Sequence, residues 1–518
     1  MAVRQETPGR TPWKRVGMLE AIGFSFGALA SGGGVIYLLL GTIVGLIFGI
    51  IPGLGGPTAL ALLIPLTFGL DTLSAMLLAG GIMGAVPFGG SVTAILLNTP
   101  GTAPNAATVF DGYPMTKLGR AGEALGAAAA ASSIGGVLGI LLLLAALPVA
   151  REIILFFSPP EFFMLAVLGL CAIAVSTEGK FLRGLIAAGL GLMIAFVGYD
   201  DVSGGTRFTF GVAYLWDGVP LVPSLIGLFA ISQIVTLYLA GGTITDDAAQ
   251  VRVTRVSDGV RAAFRNWPTV LRGSAIGAAI GAIPGVGGTV AAFLAYSTAV
   301  QISDEPETFG KGNVLGVIAP EASNNAREGG ALIPTLAFGI PGSAEMAVFL
   351  GLLVLHGMQP GPSILLDHMD VVTTLMLALA ISSVLASVMC LMVARQLARI
   401  TLVDVNYLVP VILPVSLVGA YALNNSMYDV IVAVIFGLIG YLMTRFDYPR
   451  LPLVIAMFLG SVMEVNFRQS LMISQGDWTT FFTRGLSLTL FLLIVLSLCV
   501  PLIRYLMRTR KTARERTS

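Results

Sequence analysis

Apolar runs long enough to cross a bilayer follow one another along nearly the whole sequence, and that feature alone excludes most folds. A spanning helix needs about 20 apolar residues. Runs of that order lie near 17–34, 74–97, 122–147, 160–177, 181–198 and 219–240. A second set lies near 329–355, 371–394, 406–424, 427–444, 451–467 and 484–506. With 29 basic and 28 acidic residues in 518, too few charges remain to solvate a soluble surface of this size. An apolar share of 56% excludes a disordered chain. A net charge of +1 leaves no field with which to hold nucleic acid. The expected class is an all-α polytopic membrane protein with about 12 spanning helices in the lipid bilayer.

Two further apolar stretches, 35–70 and 273–300, are interrupted at their middles by Pro-Gly clusters and are expected to form re-entrant hairpins. Basic loops test the count, because Lys and Arg concentrate on the cytoplasmic side. Arg4, Arg10, Lys14 and Arg15 open the chain, and Arg504, Arg508, Arg510, Lys511, Arg514 and Arg516 close it. Between them lie Lys117 with Arg120, Lys180 with Arg183, the series Arg252 to Arg272, Arg395 with Arg399, and Arg445 with Arg450. Twelve crossings place all of these inside, with both termini cytoplasmic, and leave the loops with Asp200, Asp201 and Asp217, or Asp367 and Asp370, outside. No small-residue cleavage site follows the basic start, so no removable signal peptide is expected.

The chain also repeats itself. Gly41, Gly45, Gly49, Pro52, Gly53, Gly55 and Gly56 recur as Gly273, Gly277, Gly281, Pro284, Gly285, Gly287 and Gly288, each 232 residues later. Asn98-Thr99-Pro100-Gly101-Thr102 answers Gly339-Ile340-Pro341-Gly342-Ser343 at an offset of 241. Ser132-Ser133 answers Ser382-Ser383, and Pro220-Leu221-Val222 answers Pro452-Leu453-Val454. The expected organisation is a basic N-terminus and first span (1–34), repeat 1 (35–240), a basic cytoplasmic linker (241–272), repeat 2 (273–483), and a last span with a basic tail (484–518). Because the first hairpin enters from outside and the second from the cytoplasm, the two repeats are read as inverted. That is a secondary-transporter architecture, with the binding site near the midplane, and an elevator-type movement is expected.

Each Gly-x-x-x-Gly-x-x-x-Gly stripe permits close backbone approach. Pro52 and Pro284 then stop the helix, and the following glycines allow positive φ. Freed backbone groups are tolerable in a membrane only inside protein or in a wet cavity. A helix resuming at Thr58 or Thr289 would present amides and a partial positive charge that suit a carboxylate. Substrate-binding candidates are therefore Gly53, Gly55, Gly56, Thr58, Gly285, Gly287, Gly288 and Thr289 at the tips. Ser91, Asn98, Thr99, Thr102, Asn325, Gly342 and Ser343 join them at or just before the two further breaks. Oxygens of Pro52, Asn98, Pro284 and Gly339 are candidates for Na⁺. Kinked packing helices and polar membrane-end loops are the plainer alternatives. Glu321 is the candidate for coupling to protons, since an ionisable group within a membrane is functional by default; a solvated charge at a helix start explains it equally well.

Enzymatic function is not expected. Cys171, Cys390 and Cys499 are scattered, and His356 and His368 share one loop, so neither a metal centre nor a nucleophile–base pair stands beside the motifs. No cofactor is expected, and no Walker-type phosphate loop is present in the sequence.

Ile51-Pro-Gly-Leu-Gly-Gly-Pro-Thr58, Gly89-Gly-Ser-Val-Thr-Ala-Ile-Leu-Leu-Asn-Thr-Pro-Gly-Thr102 and Asp111-Gly-Tyr-Pro114 carry a family likeness. So do Arg207-Phe-Thr-Phe-Gly211, Ala319-Pro-Glu-Ala-Ser-Asn-Asn-Ala326 and Gly339-Ile-Pro-Gly-Ser343. In order and over roughly residues 35–500, these resemble the large membrane subunit of the tripartite tricarboxylate transporters. Gln233 stands where the resemblance leads one to expect Glu, and Arg327-Glu328 replaces small residues. The resemblance implies a permease in a bacterial inner membrane that works with a small four-span membrane subunit and a periplasmic substrate-binding protein. It implies import of citrate-like di- or tricarboxylates driven by a cation gradient, with Na⁺ the expected coupling ion. A proton-coupled carrier using Glu321 and a passive anion channel are the alternatives. The sequence leaves the oligomeric state open, a homodimer included.

Overall fold

The computed structural model describes residues 18–31, 33–175, 181–200, 204–240, 253–397 and 405–499. The basic N-terminus, the tail arginines, Lys180, Arg252, Arg399 and residues 241–252 of the linker lie outside them. The first half runs through α1 (Met18–Ala30), α2 (Gly34–Ile50), α3 (Gly55–Leu63), α4 (Thr72–Leu97), α5 (Ala106–Lys117) and α6 (Ala121–Leu155). After α7 (Pro159–Val175) and α8 (Phe181–Ala195), α9 (Leu221–Leu225) passes through a π-helical stretch, Ile226–Ile231, into α10 (Ser232–Ala240). The second half has α11 (Val256–Arg265), α12 (Trp267–Gly281), α13 (Gly287–Ile302), α14 (Leu315–Phe338), α15 (Ala344–Leu355), α16 (Pro362–Asp367) and α17 (Met369–Leu397). Then come α18 (Val405–Asn424), α19 (Met427–Arg445), α20 (Arg450–Ile473) and an apolar helix at Gly485–Cys499.

Among the described residues, six helices are long and apolar enough to cross a membrane: α4, α6, the continuous Leu221–Leu239, α17 to Val393, α19 and α20. Several expected spans correspond to shorter helices, such as α8 with 15 residues, about 22 Å at 1.5 Å per residue. The run at 329–355 is not one span. Its first part belongs to α14, which begins at Leu315 and ends at Phe338, and α15 starts only at Ala344. The sequence hides α14 because Glu321, Asn324, Asn325, Arg327 and Glu328 lower its apolarity, yet the fold buries all five.

Both glycine stripes lie against the following long helix in matching register. A Cβ added to Gly41, Gly45 or Gly49 would overlap the carbonyls of Leu78, Ile82 and Val86 on α4. One added to Gly273, Gly277 or Gly281 would overlap those of Ala319, Ser323 and Arg327 on α14. Each second carbonyl stands 241 residues after the first. Backbone therefore rests on backbone, the close approach that small residues permit in membranes.

The Asp111-Gly-Tyr-Pro114 motif has a structural task. Asp111 is fully buried, and its Oδ1 accepts the amides of Gly312 and Asn313 at 2.8 Å each. Oδ2 accepts the Tyr296 hydroxyl at 2.9 Å, so α5 fixes the turn that starts α14. Asp111→Ala strands two backbone donors and is expected to cost about 2–5 kcal/mol, read as a lower Tm of the purified protein. The Arg207 loop is tied down as well. Arg207 makes two bonds to Glu464 at 2.8 and 3.0 Å, and Arg468 joins Asp200 at 2.8 Å to Glu464 at 2.6 Å. This ion-pair network anchors the loop on α20.

Candidate functional site

Each glycine stripe runs into a turn that only permissive residues can make. Gly53 and Gly55 have φ of +88° and +62°, and their counterparts Gly285 and Gly287 have +81° and +78°. Positive φ is a conformation that glycine tolerates, and the helices resume at Gly55 and Gly287. That is earlier than the expected restarts at Thr58 and Thr289, so both threonines sit inside the first turn rather than at its head. The second pair of breaks matches too. Asn98 ends α4 with φ +59°, and Gly339 ends α14 with φ +68°. Asn98 thus occupies a left-handed cap position, which asparagine tolerates best after glycine.

Tips and breaks interlock across the halves. The Glu345 carboxylate lies where a Cβ of Gly56 would be, and Pro104 lies within 2.8 Å of a Cβ position on Gly288. Positions 104 and 345 are themselves 241 apart, so each tip rests on the segment after the other half's break. Within the second half, the Gly285 amide donates to the Gly342 carbonyl at 3.3 Å.

At this junction lies a cavity of about 550 Å³. Gly53, Gly55, Gly56, Thr58, Thr102, Gly288, Thr289 and Ser343 line it, as expected of the site. Gly285, Gly287 and Gly342 stand in the turns beside it, and Asn325 is buried in α14; none of the four lines it. Asn98 and Thr99 do not line it either, Asn98 being exposed. Pro52, Pro284 and Gly339 are absent from the wall as well, so the cavity draws no oxygen from the positions expected for Na⁺. Several expected hydroxyls are already engaged. Thr58 donates to the Phe229 carbonyl at 3.2 Å, Thr102 bonds to Asn105, and Ser343 caps α15 by accepting the Met346 amide at 3.2 Å.

The buried polar atoms here without a hydrogen-bond partner come instead from α14 and α15. Asn324, 2% exposed, has no hydrogen-bond partner for either amide atom, and Arg327 Nε and Glu345 Oε1 also lack one. Both Asn325 amide atoms and Glu328 Oε2 are likewise unpartnered. Arg327 pairs with Glu328 and stands 4.0 Å from Glu345 Oε2. Buried groups left unpaired are costly, and those on the cavity wall can recover their bonds from a ligand. Two carboxylates against one guanidinium leave surplus negative charge that a cation or proton would offset. Sequence reading also missed Arg450, assigned there to a cytoplasmic loop. It lines the cavity with Gln233 and donates to the Leu228 carbonyl of the π-helical stretch, a contact with no sequence signature.

Glu321 is not a solvated helix-start charge. It lies within α14, is 0% exposed, and does not line the cavity. Its Oε1 accepts the Thr108 hydroxyl at 2.5 Å, and Oε2 accepts Ser91 and Ser132 at 2.6 and 2.8 Å. Ser91, expected to touch substrate, serves this carboxyl instead, with Asn105 donating to its oxygen at 2.8 Å. No basic side chain pairs with Glu321 among the described residues.

Apolar helices around a cavity that carries a few buried polar side chains, with two matched pairs of chain interruptions at its wall, define a multi-pass membrane protein of the transporter kind. The chain belongs to the Tripartite tricarboxylate transporter TctA family, whose family model matches residues 35–455. That family is the large membrane subunit of a tripartite transport system. An "Uncharacterized 52.8 kDa protein in TAR-I ttuC' 3'region" of Agrobacterium vitis is 31% identical over 460 residues, covering 88% of this chain and 90% of that protein. An "Uncharacterized protein in TAR-II ttuC' 3'region" of the same organism is 30% identical over 231 residues, covering 44% of this chain and 96% of that protein. No solved structure matches.

Proposed function

We propose that this subunit is a cation-driven secondary transporter that imports di- or tricarboxylates, binding them in the cavity where tips and breaks meet. The observation that carries the reading is the set of unpartnered buried groups on its wall: the Asn324 amide, Arg327 Nε and Glu345 Oε1. A carboxylate can accept from the amide and the guanidinium. Acceptor-only oxygens of Glu345 on the wall suit a co-bound Na⁺, which lowers the charge moved with the anion. The reciprocal packing of Gly56 on Glu345 and Gly288 on Pro104 supports two repeats related by a two-fold axis, because residues then exchange contacts in pairs. In-plane, that axis makes the repeats inverted, and an elevator-type movement would carry tips and breaks together. The same reading places the chain in a bacterial inner membrane with cytoplasmic termini, served by a small four-span subunit and a periplasmic binding protein, with a homodimer as the assembly to test.

Labelled citrate uptake into proteoliposomes holding this chain and its small subunit tests the reading. Uptake is expected to require both an inward Na⁺ gradient and the binding protein; rapid flux without either would refute it. A second reading, proton coupling, draws on the fully buried Glu321 with its three hydroxyl partners and no counter-ion among the described residues.

A further inference from the structure

Arg450 is held by neutral groups only. Nη1 donates to the Leu228 carbonyl and to Ser232 Oγ at 2.8 Å each, and Nη2 reaches Gln233 Oε1 at 3.4 Å. The guanidinium also lies 5.6 Å from the centre of the Phe229 ring. Among the described residues no carboxylate forms an ion pair with it. A guanidinium has five N–H donors, and these bonds engage three, leaving Nε–H and one Nη2 hydrogen on a side chain that lines the cavity.

Its partner Gln233 touches the first tip. A Cβ on Gly53 would stand 3.0 Å from Gln233 Nε2, whereas the matching Gly285 packs against the apolar Ile173. Arg450 therefore stands beside the first tip, whereas Arg327 lies against Gly288 of the second. Arg327, the other guanidinium on the wall, is already bound to Glu328.

We propose that Arg450, with Gln233 beside it, is the carboxylate-binding pole of the cavity and fixes the orientation of the substrate. This rests on the carboxylate reading above and names the residues that recognise one end of the anion. Gln233 is decisive because it is neutral. It accepts a bond from the guanidinium without cancelling its charge, and the unused N–H groups can then meet a carboxylate in the forked geometry such pairs favour. A glutamate at 233 would neutralise Arg450 internally and compete with the ligand.

The test is equilibrium binding of labelled citrate and succinate to the full chain in nanodiscs, with Na⁺ present, alongside Tm. Gln233→Glu should keep or raise Tm while weakening both probes about ten- to hundredfold, the loss of one charge-assisted pair. Arg450→Gln should weaken them similarly, and the double variant should fall no further than the weaker single one. Unaltered binding by Gln233→Glu at normal Tm would overturn the proposal while leaving the carboxylate reading in place, and this variant decides even if Arg450→Gln does not fold. Binding of neither probe to the unaltered protein would overturn the carboxylate reading and the pole with it.

Discussion

Glu321→Ala is expected to lower the stability of the protein by about 2–5 kcal/mol, the cost of a buried cavity together with stranded hydroxyls. Three hydroxyl groups, from Ser91, Thr108 and Ser132, converge on the carboxyl from three other segments, so its loss unties α4, α5 and α6 from α14 at once. A lower Tm in detergent would register this. Glu321→Gln separates structure from ion coupling. Glutamine can donate to the same hydroxyl oxygens and accept from one of them, so the fold should survive, but it can neither bind nor release a proton. Under Na⁺ coupling, Glu321→Gln should retain uptake driven by a Na⁺ gradient. Loss of pH-driven uptake at unaltered Tm would instead transfer the coupling role to Glu321.

Valine at Gly45 or Gly277 should abolish recovery of folded protein. A Cβ on Gly45 would stand 2.6 Å from the Ile82 carbonyl and 2.9 Å from the Ala85 methyl, and one on Gly277 would overlap the Ser323 carbonyl. Neither obstacle is a flexible side-chain end, so the helices must part. Alanine gives the graded version, about 1–3 kcal/mol of overpacking at either position. Gly189→Ala is the internal contrast, because nothing lies within 4 Å of its Cβ position. There the gain in helix propensity, about 1 kcal/mol, should leave Tm unchanged or raised. Monodisperse yield and Tm of the three variants check the contrast; equal losses at all three would refute stripe packing as the cause.

The duplicated glycines and prolines were the most legible part of this protein, because a left-handed turn or a backbone contact leaves few residue choices. Gly53, Gly55, Gly285 and Gly287 show the required φ values, and Asn98 and Gly339 reveal a shared conformation behind different residues. Burial was less legible. Helix α14 reads as polar, and its Glu321 finds its surroundings only through partners more than 180 residues away, such as Thr108 and Ser132. Arg450 follows Pro449 beside a basic loop, and nothing local distinguishes it from a cytoplasmic charge. Of the side chains expected at the site, Thr58, Thr102 and Ser343 do reach the cavity, but their hydroxyls serve the fold. The unpartnered buried groups on the wall are Asn324, which stands in one of the motifs, and Arg327 and Glu345, whose burial nothing local announces.

The glycine stripes bear on motion as well as on packing. Ordering a long side chain at a helix contact costs up to about 2 kcal/mol of rotamer entropy, whereas glycine has none to lose. Along α2 against α4 and α12 against α14, the stripe side of the contact therefore freezes no χ angles. Nor does that side offer alternative rotamers through which the helices could slip by one turn. Each tip is joined to its long helix through backbone contact, with no side-chain rearrangement on the stripe side to absorb a displacement at the cavity end.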